Sequence, residues 1–535
     1  MQVEELRARE NGAHEVIATA QLASNIGRIA RGRKHPARQP HVVIVGAGLA
    51  GLCAAYELQK HGWTYTILEA EIEHIGGRVR TAHFKDGSYG ELGAMRIPAQ
   101  HELVWKYVKS EFDLPTRPFV TKSDNAFYFA RGRRVRAAAA HHEGGRQEPH
   151  GLAQAYRLRP DEARAPHQLW SDVFLRQIRT FEAEEKSELQ HSNVFTTDRM
   201  LELDHLSLRR MTQLSGLSNE AIDYLFATSG VRALQHSAVT ELLREELTGI
   251  WSDPQFFQII GGMERLPKAL FDRLRVKPRM GCEFLDFRQD SATRRVTAIY
   301  RNRLRPDRLE SVEGDFLICA IPFSVLSLLE AHRRFSAEKQ LAIRELRYES
   351  AIKLLVPTTT RFWESKEKIF GGATYTDLLM GSIYYPSDNV EQDDATARGP
   401  GVLTISDCWG QEARWLGNMI AAERERLVVE LLGEAIHAEL LQPGVVRWNE
   451  TKSWYWDGHP WAGGAFAFYM PGQFAAMHHI VTAPEGRIHF AGEHCSRMHS
   501  WMEGALASAH AAVSAIARQA DEEAFASAEP LCLSA

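Results

Sequence analysis

The sequence predicts an α/β fold, and three observations support that prediction. Residues 41–69 read as a strand, a glycine-rich turn, a helix and a second strand in succession. Residues 151 to about 250 show helical periodicity with frequent charge and no strand alternation. The chain has 535 residues, which is too long for one ordinary domain, so we expect two or three domains.

The composition indicates a globular protein without a general affinity for nucleic acid. Hydrophobic residues make up 44% of the chain and charged residues 24%, as in ordinary globular proteins. The 63 basic and 68 acidic residues leave a net charge of −5, so no overall basic field would attract a polyanion. The basic run at 31–38 is interpreted as a solvated lead-in to the first strand and is assigned no partner.

The cysteines and the chain start predict a cytoplasmic protein with no metal site. No C-x-x-C pair occurs, which argues against a disulfide framework or a zinc ribbon. The six cysteines are Cys53, Cys282, Cys319, Cys408, Cys495 and Cys532. Residues 1–20 are charged and lack the apolar core of a secretory signal, and no stretch reaches the ~18 apolar residues of a membrane span. We therefore expect no membrane partner.

The strongest local signal is "HVVIVGAGLAGLCAAYELQKHGWTYTILEAE" at 41–71. Gly46, Gly48 and Gly51 allow a tight turn, close approach of the backbone to a pyrophosphate, and close packing of helix on strand. The helix N-terminus supplies N–H groups and a positive dipole to the phosphates. Glu69 ends the second strand, where an acid accepts hydrogen bonds from a ribose. The segment predicts a dinucleotide site, with nicotinamide and flavin both open at this point.

Two further segments favour a flavin. "IGGRVRT" at 75–81 and "RIHFAGEHCSRMHSWMEGALASAHAAVSAI" at 487–516 resemble the flavin amine oxidase superfamily, most closely its L-amino acid oxidases from animal venoms and bacteria. The likeness continues in order along 41–517, through segments 258–270, 315–326, 348–364, 371–378 and 461–473. The resemblance implies FAD bound without a covalent bond, since Ala465 stands in "WAGGAF" where the monoamine oxidases carry the attaching cysteine.

The resemblance implies three domains and two end segments. A discontinuous Rossmann-like FAD-binding domain holds the cofactor, a mixed-sheet substrate domain roofs the flavin, and a helical domain is inserted over the substrate entrance. The predicted ranges are 41–72, 265–345 and 484–517 for the FAD-binding domain, 78–136 and 346–483 for the substrate domain, 151–257 for the helical domain, 1–40 for an N-terminal extension and 518–535 for a C-terminal tail. Residues 137–150, rich in Gly and His, are predicted to be a loop.

The resemblance also implies the residues that contact FAD. Glu493, in the F-A-G-E segment, brings a second acid to the ribityl or phosphate region. The helix that opens near Met502 points its N-terminus at the flavin O2 edge, where negative charge develops on reduction. The expected contacts are Gly46, Gly48, Gly51, Glu69, Ala70, Gly76, Gly77, Arg78, Met95, Arg96, Phe284, Gly492, Glu493, Trp501 and Met502.

Arg96 is the most informative single residue, because it lies among apolar neighbours in "GELGAMRIPA" at 90–99. A guanidinium buried without a partner is very costly. In the L-amino acid oxidases this segment crosses the flavin face, and its arginine binds the substrate α-carboxylate; the simple amine oxidases lack it. The alternative is an internal ion pair with Glu91, although residues five apart in an extended segment point to opposite faces.

Hydride transfer to a flavin leaves the protein mainly with positioning to do. The resemblance assigns Lys353 to hold a water near flavin N5 and assist reoxidation; the alternative is a surface lysine whose stem covers apolar neighbours. It places Trp501 and Phe466 on the two sides of the reacting amine, with the Ser500 carbonyl accepting a hydrogen bond from it. The alternative is that these rings belong to the hydrophobic core, and this alternative is stronger for Phe466 than for Trp501.

Side-chain preference is predicted from five residues, two of which, Glu245 and Glu246, are alternatives. Trp409 and Ala465 suggest an aromatic wall with added room. Asp407 stands where the L-amino acid oxidases carry a carboxylate-binding tyrosine, and "LLREELTG" at 242–249 brings Glu245 or Glu246 near the side-chain end. These acids favour arginine or lysine, unless the helix glutamates are only solvated charge. We expect broad specificity for large L-amino acids, basic ones included.

The predicted function is FAD-dependent oxidative deamination of L-amino acids by O2. The products are the 2-oxo acid, ammonia and hydrogen peroxide, formed by hydride transfer from Cα to flavin N5. Two alternatives share the fold: an amino acid 2-monooxygenase that forms the amide with loss of carbon dioxide, and an amine or polyamine oxidase. A hydrolase is disfavoured because no G-x-S-x-G elbow is present. A demethylase-like regulator is disfavoured because no partner-binding insertion or long coiled coil is found.

We expect the protein to form a homodimer.

Overall fold

The computed structural model describes residues 39–141, 151–251 and 254–528. The basic run at 31–38, most of the predicted loop at 142–150 and Cys532 lie outside these ranges. Within them, no helix is both long and apolar enough to cross a membrane. The same residues contain no group of three or more His, Cys, Asp or Glu side chains placed to hold a metal ion.

A four-stranded parallel sheet forms one layer of the protein. Its strands, in order, are Thr64–Leu68, His41–Val45, Phe316–Cys319 and Ile488–Phe490. Val43 and Val45 belong to one apolar core and Val42 and Ile44 to another. Both faces of the sheet are therefore covered, which explains the continuous apolar run in this strand. The sheet and its helices confirm the predicted α/β class.

Two long helices cover one face of the parallel sheet. Leu49–Lys60 packs against Met502–Ala528, and both contribute to the core that contains Val42 and Ile44. The sheet draws strands from three separate stretches of the chain, near residues 41–68, 316–319 and 488–490. The exact domain boundaries stay predictions.

A seven-stranded mixed sheet forms the second layer. Its order is Lys452–Tyr455, Ala351–Thr358, Gly401–Trp409, Ser382–Tyr384, Ala373–Thr376, Phe127–Ala130 and Arg133–Arg136. The pair Ala373–Thr376 and Phe127–Ala130 is parallel, and the other neighbours are antiparallel. Lys353 stands directly opposite Asp407 in the ladder, so the two side chains share one face of this sheet.

Smaller sheets join these layers. Ile97–Pro98 pairs with Phe256–Ile259, which brings the segment after Arg96 beside Phe256. The smaller sheets are Cys282–Asp290 with Arg295–Asn302 and Arg305–Gly314; Thr81–His83 with Tyr89–Glu91; Ile97–Pro98 with Phe256–Ile259 and Thr116–Pro118; and Tyr348–Glu349 with Phe466–Ala467.

Helices dominate between residues 151 and 251, and side-chain caps set several of their starts. Thr197, Ser207 and Ser218 each accept a hydrogen bond from the N–H three residues later, as N-cap residues do. The helices here are Gly151–Ala155, Pro166–Trp170, Ser171–Leu175, Arg176–Arg179, Ala183–His191, Asp198–Asp204, Leu208–Leu214, Asn219–Ser229, Arg232–Leu234 and Val239–Leu247.

The other helices connect the sheets. They are Glu102–Trp105, Lys106–Glu111, Ala137–His141, Arg265–Arg273, Phe323–Leu326, Glu330–Arg334, Ala337–Glu345, Phe362–Ser365, Asp394–Arg398, Gly410–Gly417, Ala421–Ala435, Ala438–Leu441, Trp448–Glu450, Gln473–Thr482 and Glu493–Cys495.

Three elements differ from the sequence prediction. Ala137–His141 is helical although a loop was predicted there, because alanine is the best helix former. Helix Met502–Ala528 continues past 518, where a C-terminal tail was predicted to begin, and an Arg487–Glu523 ion pair at 2.6 Å holds this extension. Phe256–Ile259 is a strand at the end of the range predicted to be helical, since periodicity does not identify so short an apolar run.

Candidate functional site

A cavity of about 680 Å³ lies between the two sheets and the helices of 151–251, a size usual for ligand sites. Every predicted site residue lines it except Gly51. The residues on the predicted cofactor side are Gly46, Gly48, Glu69, Ala70, Gly76, Gly77, Arg78, Met95, Arg96, Phe284, Gly492, Glu493, Trp501 and Met502. The remaining ones are Lys353, Ser500, Trp409, Ala465, Phe466, Asp407 and Glu245.

The three glycines of the first turn differ in what surrounds them. A Cβ on Gly51 would stand 2.0 Å from the carbonyl oxygen of Gly46, and one on Gly46, where φ is +99°, would stand 2.9 Å from that of Ala320. A Cβ on Gly48 would meet no atom within 4 Å. The protein itself therefore requires Gly46 and Gly51, whereas Gly48 opens onto empty space.

That space fits a phosphate. Gly48 is the N-cap of helix Leu49–Lys60, and no side chain caps the helix there. The first N–H groups of a helix have no partner within the helix, and a phosphate placed at them gains both hydrogen bonds and the helix dipole. The residues present thus suit the pyrophosphate of FAD.

The two predicted acids lie at different parts of the cavity wall. Glu69 is buried and accepts hydrogen bonds from the N–H groups of Ala47 at 2.6 Å and Glu71 at 2.8 Å. Burial raises its pKa above the usual value for a glutamate. The expected ribose contact of Glu69 stays a prediction.

Glu493 joins three segments of the chain at the cavity. One of its oxygens accepts hydrogen bonds from Arg78 Nη1 at 2.6 Å and from the N–H of Ala467 at 3.0 Å. The other oxygen accepts one from the N–H of Ser500 at 2.9 Å. Ser500 has φ +66°, a backbone conformation that costs energy for a residue other than glycine. Glu493 therefore helps to hold the strained turn that precedes Trp501.

The guanidinium of Arg96 faces the cavity, and no described carboxylate forms an ion pair with it. Its Nη1 donates a hydrogen bond to the Tyr384 hydroxyl at 3.4 Å. Burial opposes its charge, but the nearby oxygens of Tyr384, Tyr375 and Asp407 raise the pKa of Arg96 above its ordinary value. The alternative partner, Glu91, instead accepts hydrogen bonds from the Thr81 hydroxyl at 2.8 Å and the N–H of Met263 at 2.9 Å.

Four aromatic rings surround Arg96. Its guanidinium carbon lies 5.0 Å from the ring centroid of Trp251, 5.1 Å from Phe256, 5.8 Å from Tyr384 and 6.0 Å from Trp501. These distances are within the range of cation–π attraction. The rings shield the cation from water without neutralising it, so the site keeps an unpaired positive charge.

Tyr384 is a residue of the site that the sequence did not predict. It ends the strand Ser382–Tyr384, which is the neighbour of the strand that carries Asp407. The structure thus provides a tyrosine beside Arg96, although position 407, where the resemblance placed one, is aspartate. No sequence motif includes Tyr384. An aromatic residue in a short strand is equally well explained as part of the hydrophobic core.

Lys353 is buried and opens into the same cavity. Its Nζ donates a hydrogen bond to the carbonyl oxygen of Gly93 at 2.8 Å and lies 3.3 Å from the sulfur of Met95. Burial lowers the pKa of Lys353, although the charges of Asp407 and Glu91 oppose that shift. The alternative of a surface lysine is wrong, since only 6% of the residue is exposed.

The remaining predicted residues form two separate aromatic groups. Trp409 donates a hydrogen bond from Nε1 to Asp407 Oδ1 at 3.1 Å, and its ring packs edge-to-face on Phe466 with centroids 5.4 Å apart. Ala465 lies with this group. Trp501 instead packs with Trp251. Phe466 and Trp501 therefore line the same cavity but belong to different groups of packed aromatic rings.

The two helix glutamates are not solvated charges. Glu245 accepts hydrogen bonds from Trp501 Nε1 and Trp251 Nε1, both at 2.6 Å. Glu246 is 4% exposed and accepts one from Trp170 Nε1 at 2.7 Å. Burial raises the pKa of both carboxyls, and that of Glu246 to about 7.

Three known proteins are similar to this chain along most of its length. The chain is 32% identical over 484 residues to a putative L-amino-acid oxidase, YobN, of Bacillus subtilis (strain 168), covering 89% of this chain and 93% of the relative. It is 29% identical over 497 residues to an L-amino-acid oxidase of Siganus canaliculatus, covering 91% and 87%. Its fold is similar to that of putrescine oxidase bound to putrescine, with a TM-score of 0.68 at 17% identity, over 90% of this chain and 99% of that one.

The family match covers most of the protein. The model of the flavin-containing amine oxidoreductases matches residues 49–517, which include the seven-stranded sheet, three of the four strands of the parallel sheet and nearly all of the cavity wall. This match confirms the resemblance found in the sequence and with it the FAD cofactor. The chain therefore belongs to the flavin-containing amine oxidoreductase family.

Proposed function

We propose that this protein oxidises L-amino acids with O2, releasing the 2-oxo acid, ammonia and hydrogen peroxide. The observation that carries the proposal is the state of Arg96, a cation facing the cavity with a tyrosine hydroxyl beside it and no described acid paired to it. A substrate carboxylate fits this gap, because the planar guanidinium can donate two parallel hydrogen bonds to it. The similarity of this chain to L-amino-acid oxidases also supports an amino acid as the substrate.

The protein's share of the chemistry is to bind and orient the substrate. The chemistry that bound FAD would supply is acceptance of a hydride from the substrate and transfer of the electrons to O2. Gly48 and the following helix N-terminus would hold its pyrophosphate, and Glu69 its ribose. Arg96 and Tyr384 would fix the carboxylate, while the surrounding rings exclude water. Lys353 would hold a water through its buried Nζ.

We further propose that large side chains are accepted. The cavity extends beyond Arg96 along Trp409 and Phe466, and Ala465 adds no bulk to that wall. An aromatic wall favours apolar and aromatic side chains through burial of their surface. A pocket of this kind discriminates weakly between side chains that differ by a methylene, so a broad range of substrates is expected.

A substrate panel tests the proposal. The FAD-loaded enzyme is mixed with the common L-amino acids and with their decarboxylated amines, and oxo acid, ammonia, peroxide, amide and carbon dioxide are measured. We expect oxo acid and peroxide in equal amounts from large L-amino acids, and little turnover of the amines. Amide with carbon dioxide would instead identify a 2-monooxygenase. Faster turnover of the amines than of the amino acids would identify an amine oxidase.

A further inference from the structure

We propose that Glu246 forms a subsite for the cationic side chain of a basic L-amino acid such as lysine or arginine. This inference rests on the proposed function, since it takes the substrate carboxylate to be bound at Arg96. It adds a second anchoring point at the opposite end of the substrate. A substrate held at both ends would be selected over neutral side chains of similar length.

Glu246 has an oxygen that the described residues leave unsatisfied. The residue is 4% exposed and lines the cavity. Its Oε1 accepts the hydrogen bond from Trp170, whereas Oε2 is buried and has no hydrogen-bond partner among the described residues. A buried acceptor without a donor costs free energy, and more when it is charged. A donor from a ligand in the cavity would remove that cost.

The other acids that line the substrate side of the cavity are already engaged. Both oxygens of Glu245 accept indole hydrogens. Asp407 accepts a hydrogen bond from Trp409, and its charge acts on Arg96 and Lys353, two cations that line the same cavity. A side-chain cation placed at Asp407 would meet those two positive charges. Neither Arg96 nor Lys353 is among the charges that act on Glu246, whose pKa is affected instead by Lys122.

Glu246 lies on the wall of the same cavity as Arg96 and the rings around it. It follows Glu245 on the helix Val239–Leu247, and Glu245 is bonded to two of the rings around Arg96. The cavity wall therefore includes Arg96, the indole rings of Trp251 and Trp501, and the helix Val239–Leu247 that carries Glu245 and Glu246. Trp170, bonded to Glu246, also lines the cavity and offers a ring face on which an ammonium or guanidinium can lie.

One cation of the protein lies near this subsite. Lys122 lines the cavity, and its positive charge lowers the pKa of Glu246, though by less than burial raises it. No hydrogen bond joins the two side chains in the described part of the chain. Lys122 therefore does not satisfy Glu246 Oε2.

Binding of two matched acids to the FAD-loaded enzyme tests the subsite without relying on turnover. The probe 6-aminohexanoate is lysine without its α-amine, and hexanoate is the same chain without the terminal ammonium. Both are titrated by the change in flavin absorbance. We expect 6-aminohexanoate to bind about ten- to a hundredfold more tightly, as for a hydrogen bond to a charged group. Equal binding, or tighter binding of hexanoate, would overturn the proposal.

Variants then assign the preference to this carboxylate. Glu246→Gln should bring the two affinities to within about twofold of each other, while Glu246→Asp, which keeps the charge, should retain part of the preference. Glu184→Gln, an exposed acid on helix Ala183–His191, is the matched control and should change nothing. A preference that persists in Glu246→Gln would refute the assignment, and the wild-type comparison decides even if that variant fails to fold.

The same experiment separates this inference from the proposed function. If 6-aminohexanoate binds more tightly through Glu246 but no amino acid yields an oxo acid, the subsite stands and the proposed reaction fails. If amino acids are oxidised and the two probes bind alike, the reaction stands and the subsite fails.

Discussion

Glu245 and Trp501 are joined by a 2.6 Å hydrogen bond from the indole Nε1 to Oε1. The other oxygen of Glu245 accepts an equally short bond from Trp251. One carboxylate therefore fixes two of the four rings that surround Arg96. Because Trp501 directly precedes helix Met502–Ala528, the bond also ties helix Val239–Leu247, which carries Glu245, to a helix that covers the parallel sheet.

Replacing Glu245 should loosen this aromatic wall. In Glu245→Leu both indoles lose a charged acceptor, each worth about 1.5–3 kcal/mol, so KM for amino acids should rise more than kcat falls. Glu245→Gln keeps one acceptor oxygen and should show a smaller effect. Steady-state kinetics and the near-ultraviolet circular dichroism of the tryptophans measure the two changes. An unchanged KM in Glu245→Leu would show that the rings are held by packing alone.

Arg96→Leu should separate amino acids from amines. With the partner of the substrate carboxylate removed, kcat/KM for amino acids should fall by about 2–5 kcal/mol, while the decarboxylated amines lose almost nothing and FAD stays bound. Tyr384→Phe removes one neutral hydrogen bond and should cost only about 0.5–1.5 kcal/mol. Equal losses on amino acid and amine would mean that Arg96 is structural.

The sequence predicted those site residues that lie close together in short segments of the chain. The glycine turn, the segment around Arg96 and the segment around Glu493 each carry their residues within a few positions, and all of them except Gly51 line the cavity. Gly51 belongs to the same motif but lies against the Gly46 carbonyl, since it serves packing and not ligand contact. A motif does not distinguish those two uses.

Residues brought in by tertiary structure were not predicted. Tyr384 reaches Arg96 only because its strand lies beside the strand of Asp407 in the seven-stranded sheet. Trp251 reaches it because Glu245 holds its indole. The order of strands in a sheet and the packing of helices depend on contacts between residues far apart in the chain. The hydrophobic periodicity of one sequence does not indicate such contacts.

Gly48 and Gly51 make a matched pair for testing the cofactor turn. Gly51→Ala places a methyl group 2.0 Å from the Gly46 carbonyl oxygen, so the flavin-free protein should lose at least about 1–3 kcal/mol of stability. Gly48 has φ −68° and open space around its Cβ position, so Gly48→Ala should leave that stability unchanged and weaken FAD binding. Thermal unfolding and FAD titration check both. Similar stability losses in the two variants would contradict this division of roles.

FAD should be released intact on acid precipitation. The position that carries the attaching cysteine in the monoamine oxidases is Ala465. Cys495 is buried, does not line the cavity, and has a pKa held well above its usual range by burial. Among the described cysteines Cys282 lines the cavity, and its N–H is bonded to the Glu69 carbonyl, at the predicted ribose end. Flavin that stays with the pellet after boiling and proteolysis would contradict the prediction.

The preference for basic over neutral substrates should depend on pH through Glu246. Burial raises the pKa of this carboxyl to about 7, so it is mostly neutral below that pH and charged above it. Only the charged form attracts a side-chain cation, so the ratio of kcat/KM for arginine to that for leucine should rise as the pH increases through about 7. The α-amine, Arg96 and Lys353 act on both substrates and largely cancel in the ratio.

The charged groups that act on Glu246, and a histidine of the same cavity, set the controls for this pH profile. Glu245 and Lys122 act on the pKa of Glu246, and the imidazole of His167 also lies on the cavity wall. In Glu246→Gln the ratio should be lower and nearly independent of pH, because an amide does not titrate. In His167→Gln the rise should persist. A pH-independent ratio in the wild type, or a rise that survives in Glu246→Gln and disappears in His167→Gln, would assign the titration to another group and leave Glu246 without a role in side-chain recognition.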